Sequence, residues 1–328
     1  MNRIYVVLVL ALWLVAGSWL TATTRAAEAV RSSRTGETGK VVVSGAKISK
    51  PNKKKKTSGP TVLRDIEYAK VGDISLKLDL IMPVKSDRKP HLVLFFHGGI
   101  WRSGSKKTNH VAWLARHGYA VASVDFRLTG TAKFPALVHD CKGAVRFLRA
   151  NANKYGYESN NMAVAGASAG GLLSTLLATS GGVKELEGNV GGNLDQSCRV
   201  QAGIGMFCPT DLYYNATVEK ERCDQPNCPL YQLLGGKPSE RLDMAKLASA
   251  TTHVSKDDPP VIRLYGSKDK SLVKPLHGQR LKARYDEAGL QATYQLIEGA
   301  GHGGPQYRDK DRSKLILDLL ARQLRGEK

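Results

Sequence analysis

The sequence predicts an α/β fold with one mostly parallel central sheet and helices on both of its faces. Three observations support this class. Short apolar runs that fit strands alternate with longer segments of helical periodicity. Several of these runs are apolar at consecutive positions, as expected when both faces of a sheet are covered. The chain has 328 residues, 42% of them hydrophobic, which is enough to bury one large core or two small ones.

The first part of the chain predicts an export signal followed by a linker. Residues 1–27 combine Arg3, an apolar core and small residues at the end, which is the pattern of a signal peptide. The uncharged stretch from Ile4 to Thr24 is also near the length of a membrane-spanning helix, so an uncleaved anchor is the alternative. Residues 28–60 are rich in Ser, Thr, Gly and Lys and fit a basic low-complexity linker.

The net charge is +20, from 49 Lys and Arg against 29 Asp and Glu. Residues 1–70 hold +9 of this excess, with 13 basic and 4 acidic residues, and the remaining +11 is spread over 258 residues. A nucleic-acid-binding surface would need a basic stripe with aromatic platforms, which the sequence does not show. We therefore expect no nucleic-acid partner and at most a loose attraction to an anionic cell envelope, for which Lys53–Lys56 is the candidate.

The folded domain is expected over residues 61–328 and opens with a β-hairpin. Residues 62–69 and 74–82 alternate in polarity around a turn at 71–73. The second arm places apolar side chains on one face and polar side chains, Asp79 among them, on the other.

Strands and helices then alternate along the chain. Apolar runs predict strands at residues 91–96, 120–124, 162–165, 200–206, 261–265 and 292–297. Apolar residues at helical spacing predict helices at residues 111–115, from Pro135 onwards, and at 172–178, 276–287 and 313–324. Residues 181–258 are mostly irregular and predict an insertion. Parallel sheets of this kind place their sites at the carboxyl ends of the strands.

A strand-turn-helix motif lies at the centre of the chain. The strand at 162–165 leads into Gly166-Ala167-Ser168-Ala169-Gly170, which fits the pattern G-x-S-x-G, and a helix follows. A serine on so sharp a turn adopts a strained backbone angle, and small neighbours let the turn close. The turn exposes the hydroxyl and directs the helix N-terminus at a developing anion. Ser168 is therefore the predicted nucleophile, and a small-residue turn without chemistry is the alternative.

A glycine-rich loop follows the strand at 91–96, with the sequence His97-Gly98-Gly99-Ile100-Trp101. Acyl transfer generates a tetrahedral oxyanion, which backbone N–H groups stabilise, and glycine lets such a backbone approach the substrate closely. Gly98 and Gly99 are the predicted donors. Ala169, the residue after the nucleophile, is predicted to supply another.

Two further residues complete a Ser-Asp-His set along the chain. Asp269 follows the strand at 261–265, and His302 follows the strand at 292–297 within a glycine-rich loop. A histidine there can reach Ser168, take its proton and pass the proton to a leaving group. Asp269 is predicted to hold the imidazole in the required tautomer and to stabilise the imidazolium.

Other candidates have weaker cases. Asp257 and Asp258 come before the strand at 261–265 and so belong to the opposite edge of the sheet. His97 is predicted to shape its own loop, and Trp101 either floors the substrate site or packs against the loop. The other histidines are predicted to be surface or packing residues; they are His91, His110, His117, His139, His253 and His277.

These motifs resemble those of α/β-hydrolases of the esterase and lipase type, and the HGGxW loop is similar to that of secreted bacterial carboxylesterases and of acetylxylan- and feruloyl-esterase-like enzymes. The resemblance covers about Thr61 to the C-terminus. It implies an α/β-hydrolase fold and a serine esterase that acts through an acyl-enzyme, without metal or cofactor, on a small-molecule or polysaccharide-linked ester. Two residues depart from the pattern, Ile100 at a position where a third glycine is common and Tyr265 where histidine is often found.

Two alternatives to an esterase stay open. One is an amide-cleaving relative of the arylformamidase or peptidase type, although peptidase relatives usually carry Tyr where this chain has Ala169. The other is a wall-binding module without activity, which the complete Ser-Asp-His set disfavours. In the insertion, Tyr213, Tyr214 and Tyr231 either stack on a sugar or phenolic ring or pack within the insertion itself.

The five cysteines fit an exported, periplasmic or secreted, protein. Cys141 lies on an apolar helix stripe and is predicted to be a reduced core residue. The other four, Cys198, Cys208, Cys223 and Cys228, allow three pairings. One pairing closes the short loop between Cys223 and Cys228 and joins Cys198 to Cys208, and another joins Cys208 to that loop. A zinc site is disfavoured, since C-x-x-C spacing and a nearby histidine are missing.

Overall fold

The computed structural model describes residues 59–84, 88–271 and 273–327. The signal peptide expected at 1–27 and nearly all of the linker expected at 28–60 lie outside the described residues and stay predictions. Within the described ranges, no helix has both the length and the apolar character that crossing a membrane requires.

A single eight-stranded sheet forms the centre of the domain, in the order β1-β2-β4-β3-β5-β6-β7-β8. Its strands are β1 (Thr61–Val71), β2 (Ile74–Met82), β3 (His91–Phe96), β4 (Ala120–Val124), β5 (Glu158–Ala167), β6 (Ala202–Met206), β7 (Val261–Gly266) and β8 (Ala292–Ile297). Strands β3 to β8 run parallel, whereas β1 and β2 are antiparallel to their neighbours. The predicted fold class, a mostly parallel sheet in an α/β fold, is confirmed.

Helices of very different lengths connect the strands. The α-helices are α1 (Ala136–Ala150), α2 (Ala152–Tyr155), α3 (Ala169–Thr179), α4 (Lys184–Glu187), α5 (Leu212–Thr217), α6 (Lys220–Cys223), α7 (Pro229–Leu234), α8 (Leu242–Leu247), α9 (Leu276–Glu287) and α10 (Lys310–Arg325). Short 3-10 helices lie at Ala112–His117, Pro238–Glu240, Ala250–Thr252 and Pro305–Arg308.

The two faces of the sheet bury separate hydrophobic cores, which explains the continuous apolar run of β3. Leu92, Leu94 and Phe96 of β3 join the core that α1, α3 and α9 cover. Val93 and Phe95 point the other way, into the core that α10 covers. Since each fully buried side chain of this size stabilises the fold by about 1.5–3 kcal/mol, both faces contribute to holding the strand ends in place.

The hairpin forms as predicted, but one of its acids lies in an unexpected environment. Leu76, Leu78 and Leu80 are buried on the inner face of β2. Asp79 is on the polar face, yet it is only 4% exposed. Its carboxylate accepts a hydrogen bond from Lys106 Nζ at 2.6 Å, because the segment that carries Lys106 covers this face. The polarity pattern does not reveal a buried ion pair of this kind.

The structure differs from the sequence prediction in three stretches. The helix predicted at residues 111–115 is the 3-10 helix Ala112–His117, which ends at Gly118 in the left-handed conformation. The strand predicted from residue 200 begins only at Ala202. The insertion at 181–258 contains β6 and the helices α4 to α8, none of these helices longer than six residues. Helices this short contain too few apolar residues for a clear period.

All five cysteines are buried, and none of them forms a disulfide; they are Cys141, Cys198, Cys208, Cys223 and Cys228. The thiol of Cys198 donates a hydrogen bond to Glu187 Oε2 at 2.8 Å. Cys208 lies in a different environment, with its Sγ 3.8 Å from the hydroxyl of Tyr265. No disulfide joins Cys198 to Cys208 in this structure, where the two side chains have different partners.

Candidate active site

The turn between β5 and α3 holds Ser168 in a strained conformation. Its φ is 53° and its ψ is −119°, a combination that costs a non-glycine residue energy and is found mostly at functional sites. The N–H of Ser168 donates to the carbonyl of Met206 at 2.9 Å, which fixes the turn over the carboxyl end of β6. The serine hydroxyl is thereby presented at the edge of the sheet where sites of parallel sheets form.

Close contacts explain why glycine flanks this serine on both sides. A Cβ added to Gly170 would lie 2.0 Å from the carbonyl oxygen of Phe96. A Cβ added to Gly166 would lie 2.0 Å from the carbonyl oxygen of Gly170. Both distances are far below any real carbon–oxygen contact, so only glycine lets α3 start this close to β3 and β5.

The structure brings Ser168, His302 and Asp269 together. His302 Nε2 lies 2.9 Å from Ser168 Oγ, and His302 Nδ1 lies 2.7 Å from Asp269 Oδ2. The Asp269 side chain is fully buried, while that of His302 is 35% exposed. These loops meet because β7 and β8 are parallel neighbours whose carboxyl ends lie at one edge.

Ser271 also contacts this group, although its sequence pattern did not single it out. Its N–H donates to Asp269 Oδ1 at 2.9 Å, and its Oγ lies 3.2 Å from His302 Nδ1. The N–H of Val273 donates to Ser271 Oγ at 3.0 Å, which orients the hydroxyl. A serine two residues after an aspartate fits a local turn in which the carboxylate accepts a backbone N–H, and this spacing is the only signal that the sequence offers.

An aromatic side chain, also missed, packs against the imidazole. The ring centroids of Phe207 and His302 are 4.8 Å apart, with the rings inclined at 64°. Phe207 has a positive φ of 38° and donates its N–H to the carbonyl of Leu264 at 2.7 Å. Tyr307 packs on Phe207 and donates its hydroxyl to the carbonyl of Gly301 at 3.0 Å. These contacts restrict the orientation of the imidazole ring.

Two of the three predicted oxyanion donors, Gly98 and Ala169, lie beside Ser168. A Cβ added to Gly98 would lie 3.3 Å from Ser168 Cβ, so the backbone of Gly98 passes close to the serine. Ala169 is the first residue of α3, where a backbone N–H has no partner within its own helix. Gly99 has a φ of +119°, and a Cβ there would lie 2.1 Å from the carbonyl oxygen of Ser103. The loop therefore requires glycine at position 99 for its shape.

The next two loop residues adopt left-handed conformations without being glycine. Ile100 has a φ of 50° and Trp101 a φ of 60°. Such angles are costly for a β-branched residue such as Ile100. Glycine, which is common at this position in the pattern that the loop resembles, would adopt them without strain. Trp101 is buried, donates its Nε1–H to the carbonyl of Ala169 at 3.1 Å, and also lines the cavity at Ser168. It both packs and forms part of the cavity wall.

The buried side chain of His97 stabilises the shape of this loop. Its Nδ1 lies 2.7 Å from the carbonyl oxygen of Gly98, and its ring stacks on Phe126 with centroids 4.4 Å apart. Burial lowers the pKa of His97 below its ordinary value, although the contact with Gly98 and the charge of Asp125 oppose this. A neutral, buried imidazole of this kind positions backbone and is not the group that contacts Ser168.

A cavity of about 230 Å³ opens at Ser168 and His302. Its wall is mostly apolar, and the polar exceptions away from the reacting groups are Asn215 and Arg222. Among the described residues, those that line the cavity do not include Tyr213, Tyr214 or Tyr231. Two of these tyrosines instead lie under cations, Tyr213 under Lys246 and Tyr214 under Arg280. Of the two alternatives for these tyrosines, packing against neighbouring side chains is the one that these contacts favour.

The described part of the chain contains no cluster of three or more His, Cys, Asp and Glu side chains arranged to hold a metal ion. The groups around Ser168 are instead one hydroxyl, one imidazole, one carboxylate and several backbone N–H groups. This set suits nucleophilic catalysis with a positioned base.

Comparison with known proteins places these residues in a recognised family. The BD-FAE family model matches residues 78–285. Esterase LipC of Mycobacterium tuberculosis is 30% identical over 226 residues, which are 66% of this chain and 53% of that protein. The chain thus spans about half the length of the first curated relatives that it matches.

Two solved structures are similar in both fold and sequence. A truncated carbohydrate esterase from gut microbiota superposes with a TM-score of 0.74 at 28% identity, over 82% of this chain and 98% of that one. A bifunctional GH43-CE protein of Bacteroides eggerthii superposes with a TM-score of 0.70 at 31% identity, over 80% of this chain and 38% of that one.

Proposed function

The chain belongs to the BD-FAE family and has an α/β-hydrolase fold, and from this premise we propose that it is a serine hydrolase that cleaves carboxylic esters through an acyl-enzyme. One observation carries the proposal: His302 contacts Ser168 Oγ through one ring nitrogen and Asp269 through the other. This is the arrangement that activates a serine hydroxyl as a nucleophile.

In the first half of the reaction, Ser168 Oγ attacks the ester carbonyl carbon while His302 Nε2 accepts the hydroxyl proton. The carbonyl oxygen becomes an oxyanion, to which the N–H groups of Gly98, Gly99 and Ala169 donate hydrogen bonds. Each such donor is worth roughly 3 kcal/mol of transition-state stabilisation. The imidazolium then returns its proton to the leaving alcohol, and the acyl group remains on Ser168.

In the second half, water replaces the alcohol. His302 takes a proton from the water molecule, the resulting hydroxide attacks the acyl carbon, and the proton goes to Ser168 Oγ as the carboxylic acid leaves. Asp269 accepts a hydrogen bond from His302 Nδ1 throughout and so stabilises the positive charge that the ring carries in both steps.

The size of the cavity favours a short acyl group. At about 230 Å³ it is smaller than the roughly 300–1,000 Å³ that is usual for drug-sized ligands, so an acetyl or similarly small group fits better than a long chain. The two similar structures are a carbohydrate esterase and a bifunctional GH43-CE protein. On this basis the substrate class is a short-chain ester whose alcohol part is a carbohydrate.

Cleavage of para-nitrophenyl acetate by the wild type and by Ser168→Ala tests the proposal. We expect the variant to lose turnover, whereas Ser313→Ala on α10, which does not line the cavity, keeps it. A burst of nitrophenol and an added acyl mass on the peptide that contains Ser168 would identify the acyl-enzyme. Wild-type turnover in Ser168→Ala would refute the assignment, and a panel of longer esters, acetylated xylan and formylated amines separates esterase from amidase activity.

The buried thiols of Cys223 and Cys228 interact with each other, and this interaction raises the pKa of Cys223 and lowers that of Cys228. The export signal expected at residues 1–27 would deliver the chain to a compartment where thiols are oxidised. There the pair would form a disulfide, passing two electrons to a disulfide or quinone-linked oxidant and releasing two protons.

A further inference from the structure

One wall of the cavity at Ser168 is formed by the segment from α6 to α7. Arg222, Pro229 and Leu230 of this segment line the cavity together with Ser168 and His302. Arg222 is also exposed to solvent, so this residue lies where an apolar cavity meets solvent. A cation in this position lies within reach of the part of a substrate that extends out of the cavity.

The charge of Arg222 acts on the carboxylate of Glu219, which other side chains already engage. Glu219 forms an ion pair with Lys274, and it accepts a hydrogen bond from Asn215 Nδ2 at 3.1 Å. Burial raises the pKa of Glu219, but the contact with Lys274 outweighs burial and, with Asn215 and the charge of Arg222, holds that pKa below its ordinary value. Throughout the described residues, neither an ion pair nor a hydrogen bond occupies the Arg222 guanidinium.

The two cations at this rim differ in their partners. Lys274 is paired with Glu219, whereas no ion pair within the described residues holds Arg222. The guanidinium has five N–H donors in a planar fork that matches a carboxylate in bidentate geometry. The chain as a whole carries a net charge of +20, which draws anionic polymers towards it.

We propose that Arg222 selects ester substrates that carry a carboxylate, with an acylated polysaccharide containing uronic acid residues as the matching polymer. This inference rests on the proposed ester hydrolysis and specifies its substrate. The ester carbonyl lies at Ser168, the short acyl group fills the apolar cavity, and the carboxylate forms a bidentate contact with Arg222 at the rim. A neutral ester of the same size lacks this contact and leaves Arg222 hydrated.

The test compares matched pairs of esters that differ in one carboxylate. Para-nitrophenyl hydrogen glutarate against para-nitrophenyl valerate places the charge on the acyl side. A methyl O-acetyl-glucuronoside against a methyl O-acetyl-glucoside places it on the alcohol side. For at least one pair, we expect the wild type to prefer the charged ester and Arg222→Gln to reduce the ratio of the two kcat/KM values by about tenfold, the usual scale for one charge-assisted hydrogen bond. Arg222→Lys should retain part of the preference, and added salt should weaken it.

The control is Arg322→Gln, which removes the same charge from an exposed position on α10 and should leave the ratio unchanged. An Arg222→Gln ratio equal to that of the wild type for both pairs would overturn the inference while leaving ester hydrolysis intact. A wild type that cleaves neither member of either pair would instead overturn the proposed function, and this inference with it.

Discussion

Ser271 Oγ lies 3.2 Å from Nδ1 of His302, the same ring nitrogen that contacts Asp269. The backbone N–H of Ser271 donates to the other oxygen of the Asp269 carboxylate. A single residue therefore holds the carboxylate from one side and contacts the imidazole from another. It is a positioning residue, because its hydroxyl contacts His302 and its N–H contacts Asp269.

Replacing Ser271 by alanine should slow the chemical step more than it weakens binding. The variant loses a contact worth about 1 kcal/mol, so kcat should fall by about fivefold with little change in KM. Ser271→Thr keeps a hydroxyl on the same carbon and should restore much of kcat. Steady-state kinetics with para-nitrophenyl acetate, together with thermal denaturation of each variant, check this. Equal losses in the Ala and Thr variants would indicate a purely structural role.

Gly170→Ala should destabilise the domain strongly, because the new Cβ would lie 2.0 Å from the carbonyl oxygen of Phe96. Overpacking of a rigid site costs about 1–3 kcal/mol and occasionally more. Gly130→Ala is the matched control, since an added Cβ there meets nothing within 4 Å, and it should change stability by less than about 0.5 kcal/mol. Urea denaturation measures both. A Gly170→Ala variant as stable as the control would contradict the close approach of α3 to β3.

Glu187→Gln should destabilise the domain at neutral pH. Lys142 is completely buried and its Nζ lies 2.8 Å from Glu187 Oε1. Removing the partner of a fully buried charge costs about 3–5 kcal/mol, and since Glu187 is 33% exposed we expect a smaller loss of about 2 kcal/mol. Glu185→Gln, an exposed acid on the same helix α4, is the control and should have little effect.

The effect of Glu187 should depend on pH in a defined direction. Burial raises its pKa, but hydrogen bonds from Cys198 and Lys142 outweigh burial and hold that pKa below the ordinary 4.5. A carboxylate with a lowered pKa stabilises the fold above its unfolded-state pKa, and this stability is lost as the pH falls through the folded-state pKa. The difference between wild type and Glu187→Gln should therefore be full at neutral pH and should shrink below pH 4.5. A difference that stayed constant would contradict the ion pair.

The proposed disulfide between Cys223 and Cys228 can be detected in a single tryptic peptide. Neither Lys nor Arg lies between these cysteines, so trypsin leaves them in one fragment whose mass falls by two hydrogen atoms on oxidation. Without reduction, iodoacetamide should label neither thiol in protein from an oxidising compartment. Cys223→Ser should lower the free energy of unfolding by about 2 kcal/mol through the loss of loop constraint, whereas Cys198→Ala should leave the cross-link in place. Labelling of both thiols in the exported protein would exclude it.

Local sequence patterns were enough to predict the sheet and the set of Ser168, Asp269 and His302. The continuous apolar run of β3 predicts a strand that is buried on both faces, and the alternation in β2 predicts one that is buried on a single face. Each pattern is contained within its own strand. The glycines around Ser168 report a turn whose shape is set by immediate neighbours. Because Asp269 and His302 each follow a strand of a parallel sheet, their common edge followed from strand order alone.

The tertiary structure decided what depends on segments that are distant in sequence. His302 and Ser168 are 134 residues apart, and the distance between their reacting atoms is fixed by packing on both faces of the sheet. The burial of Asp79, the separation of Cys198 from Cys208 and the place of Arg222 at the cavity rim likewise depend on which chain segments cover one another. Composition and periodicity record the environment of a residue averaged over its own element, whereas these features arise from single contacts between elements, and for that reason only the folded chain shows them.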